Sequence, residues 1–247
     1  MKIIQILNTQ HWSAAANYCV SISRELMQRG HEVFILTEPG KALDKVREAG
    51  LPYDDSIRLN HRNPLLFIDA MKKMKRIFRT FKPEIISPHM NEAARLPGMI
   101  ARKVLPQAVI ARIRTEYDPP KKHIISRYVH QAWVDHLVVG SQLHKRLCQD
   151  ILDYQAANIS VIYGGVDCYP FHPGLRQNSN FRHELGAAEN EVLIGLLARL
   201  DPVKGHEYAL EALSRIISLA VHLGWWSSDM KPRETMLGLN SRQLLWA

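Results

Sequence analysis

The chain has 247 residues, 46% of them hydrophobic and 23% charged, with a formal net charge of +8. This is an ordinary globular composition, enough for one large domain or one domain plus part of another, and it argues against long disorder. No run approaches the ~20 apolar residues of a membrane span, and the run Ile3–Leu7 is too short for a secretory signal, so the expected location is the cytoplasm.

In chain order, short apolar strands alternate with amphipathic helices, which predicts an α/β fold: a Rossmann-like parallel sheet with helices on both faces. The first strand is read over Lys2 to Leu7. The loop Asn8 to Ser13 leads into a helix whose Cys19, Ile22 and Leu26 share a face, and Gly30 closes it as a left-handed cap. A second strand, Val33 to Leu36, is followed by the Pro39–Gly40 turn and a helix ending near Gly50. A basic helix runs from Pro64 to just before Pro83, and Glu84 to Ser87 is a buried strand ending at Pro88–His89. Residues 91–103 read as a helix kinked at Pro97. Strands at Val109 to Ile113, His136 to Val139 and Ile159 to Tyr163 alternate with helices over His123 to Trp133 and from the N-cap Ser141 to Leu152. A polar stretch follows, then a new strand at Val192 to Leu197 and a helix opening near Lys204–Gly205. From about Ser218 no strand–helix alternation can be read, although three tryptophans, Trp225, Trp226 and Trp246, fall there. The expected organisation is therefore a first domain over 1–167, a linker over 168–190, the start of a second domain over 191–217, and an atypical tail over 218–247, disordered or the product of a truncation or frameshift.

Three separated cysteines, Cys19, Cys148 and Cys168, argue against a disulfide framework or a zinc site. The positive charge asks for a partner. It is densest at Lys72, Lys73, Lys75, Arg76, Arg79 and Lys82, interleaved with Phe67, Met71, Met74, Phe78 and Phe81 at helical spacing. Two readings stand: a helix packed by its apolar stripe with a solvated basic face, or a helix 67–82 whose basic face rests on anionic lipid at the inner side of the cytoplasmic membrane. No zinc finger or aromatic RNA-binding motif accompanies the charge, so no nucleic-acid partner is expected.

The most specific segment is Gly195-Leu-Leu-Ala-Arg199-Leu-Asp201-Pro-Val-Lys204-Gly205. A strand delivers Arg199 to its carboxyl end, and Lys204 stands five residues on, where a helix begins. Two cations and free helix N–H groups can converge there on one anion, and a diphosphate would suit them. Spacing alone leaves an exposed basic pair beside a turn equally open. Upstream, Gly164-Gly165-Val166-Asp167 is followed by Phe171 and Pro173. Gly165 permits close backbone approach, and Asp167 can turn the chain by bonding its own backbone. Together, in this order and at this distance, the two segments resemble the signatures of retaining family-4 glycosyltransferases of the GT-B fold.

The resemblance implies that Arg199, Lys204 and Gly205 grip the diphosphate of a nucleotide-sugar donor, and that Gly165 and Asp167 form the interdomain hinge. It implies no cofactor and no metal, since the arginine–lysine clamp does a cation's work. Ile85-Ile86-Ser87-Pro88-His89 resembles the strand whose terminal histidine faces the interdomain cleft. His89 reads equally as an acceptor-orienting or proton-handling catalytic residue and as a cap for the helix at Asn91. Besides Ala198 in place of the usual glycine before the arginine and Gly164 where asparagine is commonest, the chain departs from the family in three places. Ala15, Ala16 and Asn17 stand where the acceptor-side loop is usually glycine-rich. Thr115-Glu116-Tyr117 puts tyrosine where a histidine is common, leaving Glu116 and Tyr117 as acceptor-side contacts or plain surface groups. No pair of glutamates eight apart follows Lys204 in a strand–helix setting. The implied activity is sugar transfer, with retention, to a hydroxyl of a glycolipid or saccharide acceptor such as a cell-envelope precursor. The rival is an inactive fragment that binds acceptor or partner at most. A Rossmann dehydrogenase is disfavoured because Asn8 to Asn17 contains no glycine.

Overall fold

Runs of Ile, Leu and Val too short for helices become strands, and the longer 3.6-periodic segments between them become helices that cover the strands. The computed structural model describes residues 1–58, 64–89, 95–116, 118–169, 171–178, 180–188, 192–198, 200–217, 223–227 and 237–238. Two units are present, Met1–Gly165 and Val166–Ala247.

In the first unit, β1 (Lys2–Leu7), β2 (Glu32–Thr37), β3 (Tyr53–Asp54), β4 (Ile85–Pro88), β5 (Val109–Arg114), β6 (His136–Val139) and β7 (Ile159–Val161) form one sheet of order β3-β2-β1-β4-β5-β6-β7. Its pairings are parallel, with Ile4 opposite both Phe34 and Ile86. The order turns back between β1 and β4, which marks the switch point where open α/β sheets bind ligands beyond the strands' carboxyl ends. The helices are α1 (Ala14–Gln28), α2 (Lys41–Glu48), α3 (Pro64–Phe81), α4 (Arg95–Val104), α5 (Ile124–Trp133) and α6 (Gln142–Leu152).

Alternation along β1 splits the core in two. Leu7 joins Cys19, Ile35 and Val46 on the face covered by α1 and α2. Ile4 and Ile6 join Met74, Phe78, Ile86, Ile110 and Leu137 on the opposite face, under α3 to α6. Removing a large enclosed side chain such as Phe78 costs about 3–5 kcal/mol, because the cavity adds to the lost transfer energy.

Local chemistry sets the helix ends. Gly30, at φ 81°, follows α1 while Gly30 N–H donates to Met27 O and His31 N–H to Leu26 O, the paired bonds that close a helix on a left-handed residue. Ser141 Oγ accepts from His144 N–H at 3.2 Å and starts α6. His123 starts α5 the same way, its Nδ1 accepting from Ile125 N–H at 3.1 Å, so it caps that helix instead of opening it.

Several expectations need correction. The two-residue β3 went unread because Tyr53–Asp54 is too short to show any period. The stripe on α3 divides: Met74 and Phe78 are enclosed, Met71 and Phe81 are half-buried, and Phe67 is exposed. The described part of the next helix begins at Arg95 and contains Pro97, while residues 91–94 of the expected helix lie outside the described residues.

The second unit contains α7 (Phe181–Glu184), β8 (Val192–Leu196), a 3₁₀ turn (Pro202–Lys204), α8 (His206–Ile217), β9 (Leu223–Ser227) and β10 (Leu237–Gly238). Its sheet order is β10-β9-β8, and β9 lies parallel to β8 with Ile194 opposite Trp225. The strand pattern therefore continues past Ser218. Leu-Gly-Trp-Trp-Ser hides it, because an interior glycine and adjacent tryptophans show no alternation.

At Gly40, the N-cap of α2, φ is 148° and a Cβ would stand 2.4 Å from Gln10 O. Only glycine lets the loop after β1 lie against the start of α2, where Ala42 N–H donates to Gln10 O at 3.4 Å. Gly40→Ala is expected to lower stability by about 1–3 kcal/mol, read as a drop of several degrees in thermal unfolding. An unchanged midpoint would show that the loop does not pack there.

Candidate active site

Parallel pairing brings the carboxyl ends of β1, β2, β4 and β5 to one edge of the first unit. His89 follows β4 at that edge. Its N–H donates to Ile6 O at 3.0 Å, which continues the ladder by one residue. The ring is fully enclosed, Nε2 lies 2.7 Å from Gln5 Oε1, and Nδ1 has no hydrogen-bond partner among the described residues. The bond to Gln5 makes Nε2 the donor, so Nδ1 presents a lone pair. Burial pushes the His89 pKa down to about 3, so the imidazole stays neutral across the physiological range. The helix start at Asn91, which the alternative reading has His89 cap, lies outside the described residues. Asn8, one residue beyond β1, is buried with both amide atoms unpartnered among the described residues, and sequence reasoning gave it no role.

The small-residue positions at the start of α1 divide by function. Ser13 Oγ accepts from Ala16 N–H at 3.3 Å and caps the helix. Ala15 and Ala16 are buried as packing residues, while Asn17 is exposed. Only Asn17 of these three presents a side chain to solvent in this unit.

Glu116 is tied down. Arg112 Nη2 donates to Glu116 Oε1 at 2.8 Å, and Arg114 Nη1 lies 3.7 Å from Glu116 Oε2. Arg112 is fully buried; its Nη1 donates to His130 Nε2, and His130 Nδ1–H donates to Ser126 O at 2.6 Å. Arg114 Nη2 donates to the carbonyl of Asp118. Burial first, and the Arg112 charge second, bring the His130 pKa down to about 4, so this histidine serves as a neutral acceptor. The group holds two guanidiniums against one carboxylate beneath the loop after β5. Glu116 thus fixes that loop through ion pairs, and Tyr117 lies outside the described residues. The signal for this cluster was legible, though unread: arginines two apart in the otherwise apolar strand Val-Ile-Ala-Arg-Ile-Arg.

Beyond β7, Gly165 lies outside the left-handed region, and a Cβ there would meet nothing within 4 Å. Asp167 makes the expected turn, its Oδ1 accepting from Tyr169 N–H at 2.9 Å. In the second unit, Asp201 Oδ1 accepts from Val203 N–H at 3.2 Å and caps the turn carrying Lys204. Lys204 is exposed, Gly205 has φ 72°, and α8 begins at His206. The cation therefore stands where the first N–H groups of a helix lack intrahelical acceptors. Arg199 lies outside the described residues. Among the described residues, no three His, Cys, Asp or Glu side chains gather as metal ligands.

Two predictions follow from the buried groups. Both histidines have folded pKa values below the ordinary 6.5, so the unfolded chain takes up protons between about pH 6.5 and 4 that the folded chain refuses. Stability present above pH 6.5 is therefore lost as pH falls. In urea titrations, His89→Gln and His130→Gln should each flatten the decline between pH 6 and 4.5, by up to about 1.4 kcal/mol per pH unit; slopes equal to wild type would contradict the buried neutral state. Glu116→Gln leaves the two guanidiniums without a carboxylate and should cost roughly 3 kcal/mol in the same titration at pH 7.5.

Comparison with known proteins bears on this arrangement. Residues 15–169, more than half of the chain, match the family described as Glycosyltransferase Family 4. A comparison with curated protein sequences gave no match. Among solved structures, a glycosyltransferase from Rickettsia africae is similar at a TM-score of 0.71 and 17% identity, over 87% of this chain and 57% of that one. Anabaena HepE in complex with UDP and glucose is similar at 0.70 and 14% identity, over 92% and 60%. A UDP-GlcNAc 2-epimerase from Methanocaldococcus jannaschii in complex with UDP-GlcNAc and UDP is similar at 0.53 and 15% identity, over 92% and 66%. The chain thus spans about three-fifths of the length of the first two. The shared architecture is the GT-B fold, and with its first unit matched almost throughout, the chain belongs to Glycosyltransferase Family 4.

Proposed function

We propose that this chain carries the acceptor-side domain of a retaining glycosyltransferase, together with the first strand–helix unit of its donor side. The observation that supports this most is the family match over residues 15–169, which includes the strand-end His89. The donor is a nucleoside-diphosphate sugar. HepE and the epimerase were each solved with UDP, and the turn at Lys204–Gly205 offers a cation and helix N–H groups to such a diphosphate. Arg199, with Lys204, is the proposed clamp on the departing diphosphate, stabilising negative charge as the bond from the anomeric carbon to the phosphate oxygen breaks. That clamp takes the place of a metal ion.

The acceptor hydroxyl forms its new bond to the anomeric carbon on the face the nucleotide leaves, and its proton passes to the departing diphosphate oxygen. His89, neutral and with a free lone pair at Nδ1, orients that hydroxyl by accepting its hydrogen bond; with a pKa near 3 it is no proton store at neutral pH. Because the ring is enclosed, the residues above it must shift for a hydroxyl to arrive. Asn17 contributes a contact on the acceptor side, and the hinge is placed at Gly165 and Asp167. The acceptor is a glycolipid or saccharide, such as a cell-envelope precursor. The site of action is the cytoplasm, at the inner face of the membrane, with the basic face of α3 toward anionic lipid; no described helix is long and apolar enough to cross a membrane.

The purified chain is to be incubated with UDP-glucose, UDP-GlcNAc, UDP-galactose and GDP-mannose, and followed for nucleoside diphosphate release and, by NMR, for the anomeric configuration of the product. Release with retention is expected from at least one donor. Arg199→Ala and Lys204→Ala should each reduce kcat/KM by ~100-fold, the loss of about 2.7 kcal/mol of charge stabilisation. Epimerised UDP-GlcNAc with no transfer would place the chain with the epimerases, and neither release nor donor binding would leave only an acceptor-binding module.

A further inference from the structure

A cleft of about 560 Å³ opens at the amino edge of β6 and β7, away from the strand ends that carry His89 and Glu116. One wall is the end of α5 with the entry to β6, where Gln131, Val134 and Asp135 stand; the other is the turn from α6 into β7, over Asp153 to Asn158. Local chemistry builds that turn. Asp153 leaves α6 at φ 53°, in the left-handed region where glycine is the ordinary choice. Tyr154 then tucks inward, its hydroxyl donating to Val134 O at 2.8 Å, and a 3₁₀ turn over Ala156–Asn158 leads to the strand.

The two walls are tied to each other and to the core. Gln131 Nε2 donates to the carbonyls of Leu152 and Asp153, both at 3.2 Å. Arg127 Nη2 donates to Asp153 Oδ2 at 3.1 Å. Asp135 is fully engaged, its Oδ1 accepting from Arg102 Nη2 at 2.6 Å and its Oδ2 from Ile110 N–H at 2.8 Å. Each carboxylate of the cleft thus carries its own guanidinium, and the cleft is neutral on a chain of net charge +8. A phosphate would find both arginines already paired, and a metal ion would find both carboxylates paired. What remains is uncharged and two-sided in hydrogen bonding. Among the described residues the Gln155 and Asn158 side chains hold no hydrogen bond, both are exposed, and each amide offers a donor and an acceptor. Gln131 Oε1 and Asp153 Oδ1 add two acceptors. Hydroxyl groups donate and accept at once, so a neutral ligand carrying several of them on a small rigid frame satisfies this set. The volume falls within the ~300–1,000 Å³ of small-molecule sites. Tyr154 is buried, so it offers no open ring face for stacking, and the affinity is accordingly weak.

We propose that this cleft is a saccharide-binding site separate from the candidate active site, in which Gln155 and Asn158 bond the hydroxyls of a neutral sugar and Gln131 and Asp153 accept from them. The site holds sugar without reacting it, either as a free disaccharide or as a stretch of a longer glycan. It stands whether or not the chain transfers sugar.

The test is amide NMR of the full 247-residue chain, titrated to ~20 mM with maltose, cellobiose and chitobiose, each also as its hexasaccharide. At least one of these sugars should shift the amides of residues 131–135 and 153–158, saturating in the millimolar range. A hexasaccharide that binds more tightly than its disaccharide assigns the site to a longer glycan, and equal affinity assigns it to a free disaccharide. Gln155→Ala with Asn158→Ala should weaken binding at least tenfold without moving the thermal midpoint, since both side chains are exposed and unbonded among the described residues. Asp153→Gly, which suits the left-handed backbone, should also weaken binding while keeping the fold. No shift with any sugar of the panel, or the double alanine variant binding as wild type, would overturn the proposal. So would shifts confined to amides around Asn8, Asn17 and His89, which would place the sugar at the carboxyl edge alone. Equal shifts at residues 153–158 from inorganic phosphate would overturn it too, as they would mean an anion site at Arg127. The titration contains no nucleotide and reads no activity, so its failure leaves the transferase reading untouched, and failure of the transfer assay leaves this one.

Discussion

Parallel pairing is the constraint from which everything else in the first unit descends. Seven strands run the same way, so every strand's carboxyl end, and the start of every helix that follows a strand, gathers at one edge. The polar side chains that end the strands are thereby collected without any of them having to be close in sequence. His89, Glu116 and the pair Asn8 and Ser13 come from three different connections, yet share that edge. At the opposite edge the structure carries a cavity of about 560 Å³ lined by Gln131, Asp135, Asp153 and Asn158 among others, and none of the family's signature residues falls there.

The edge is not uniform electrically. At β4 its histidine is neutral because nothing charged compensates its burial, whereas beneath the loop after β5 two arginines are buried around a single carboxylate. A buried charge pair of this kind contributes little net stability but fixes geometry, since any other arrangement strands a charge. The loop carrying Thr115 and Glu116 is therefore held by its own side chain, while among the described residues the His89 ring bonds to Gln5 alone.

The strands, their order of appearance and most helix ends were legible because they rest on local chemistry: apolar runs, Gly30 after α1, Ser141 before α6. The family signatures were legible for the same reason, being contiguous. What escaped depends on tertiary contact. His89 read as an acceptor-orienting or proton-handling residue or as a helix cap, and its burial against β1, which disfavours the charged ring, could be seen only in the fold. Glu116 read either as an acceptor contact or as a solvated charge; its ion pairs with Arg112 and Arg114, two positions on one strand face, could be seen only in the fold. Ala15 and Ala16 looked like remnants of a substrate loop, and proved to be packing residues. The strand β9 was missed because its composition lacks alternation, and the short β3 because two residues carry none.

In the second unit the proposed donor contact lies at the junction of the Asp201-capped turn with α8, where Lys204 and Gly205 precede the helix. Amide hydrogen exchange on the full chain, with and without UDP, interrogates that junction directly. A diphosphate seated on the helix start should slow exchange at residues 205–208, and Lys204→Ala should abolish the slowing. Exchange unchanged at those amides under saturating UDP, or slowed only at residues 131–158 around the opposite edge, would contradict a nucleotide-sugar site there.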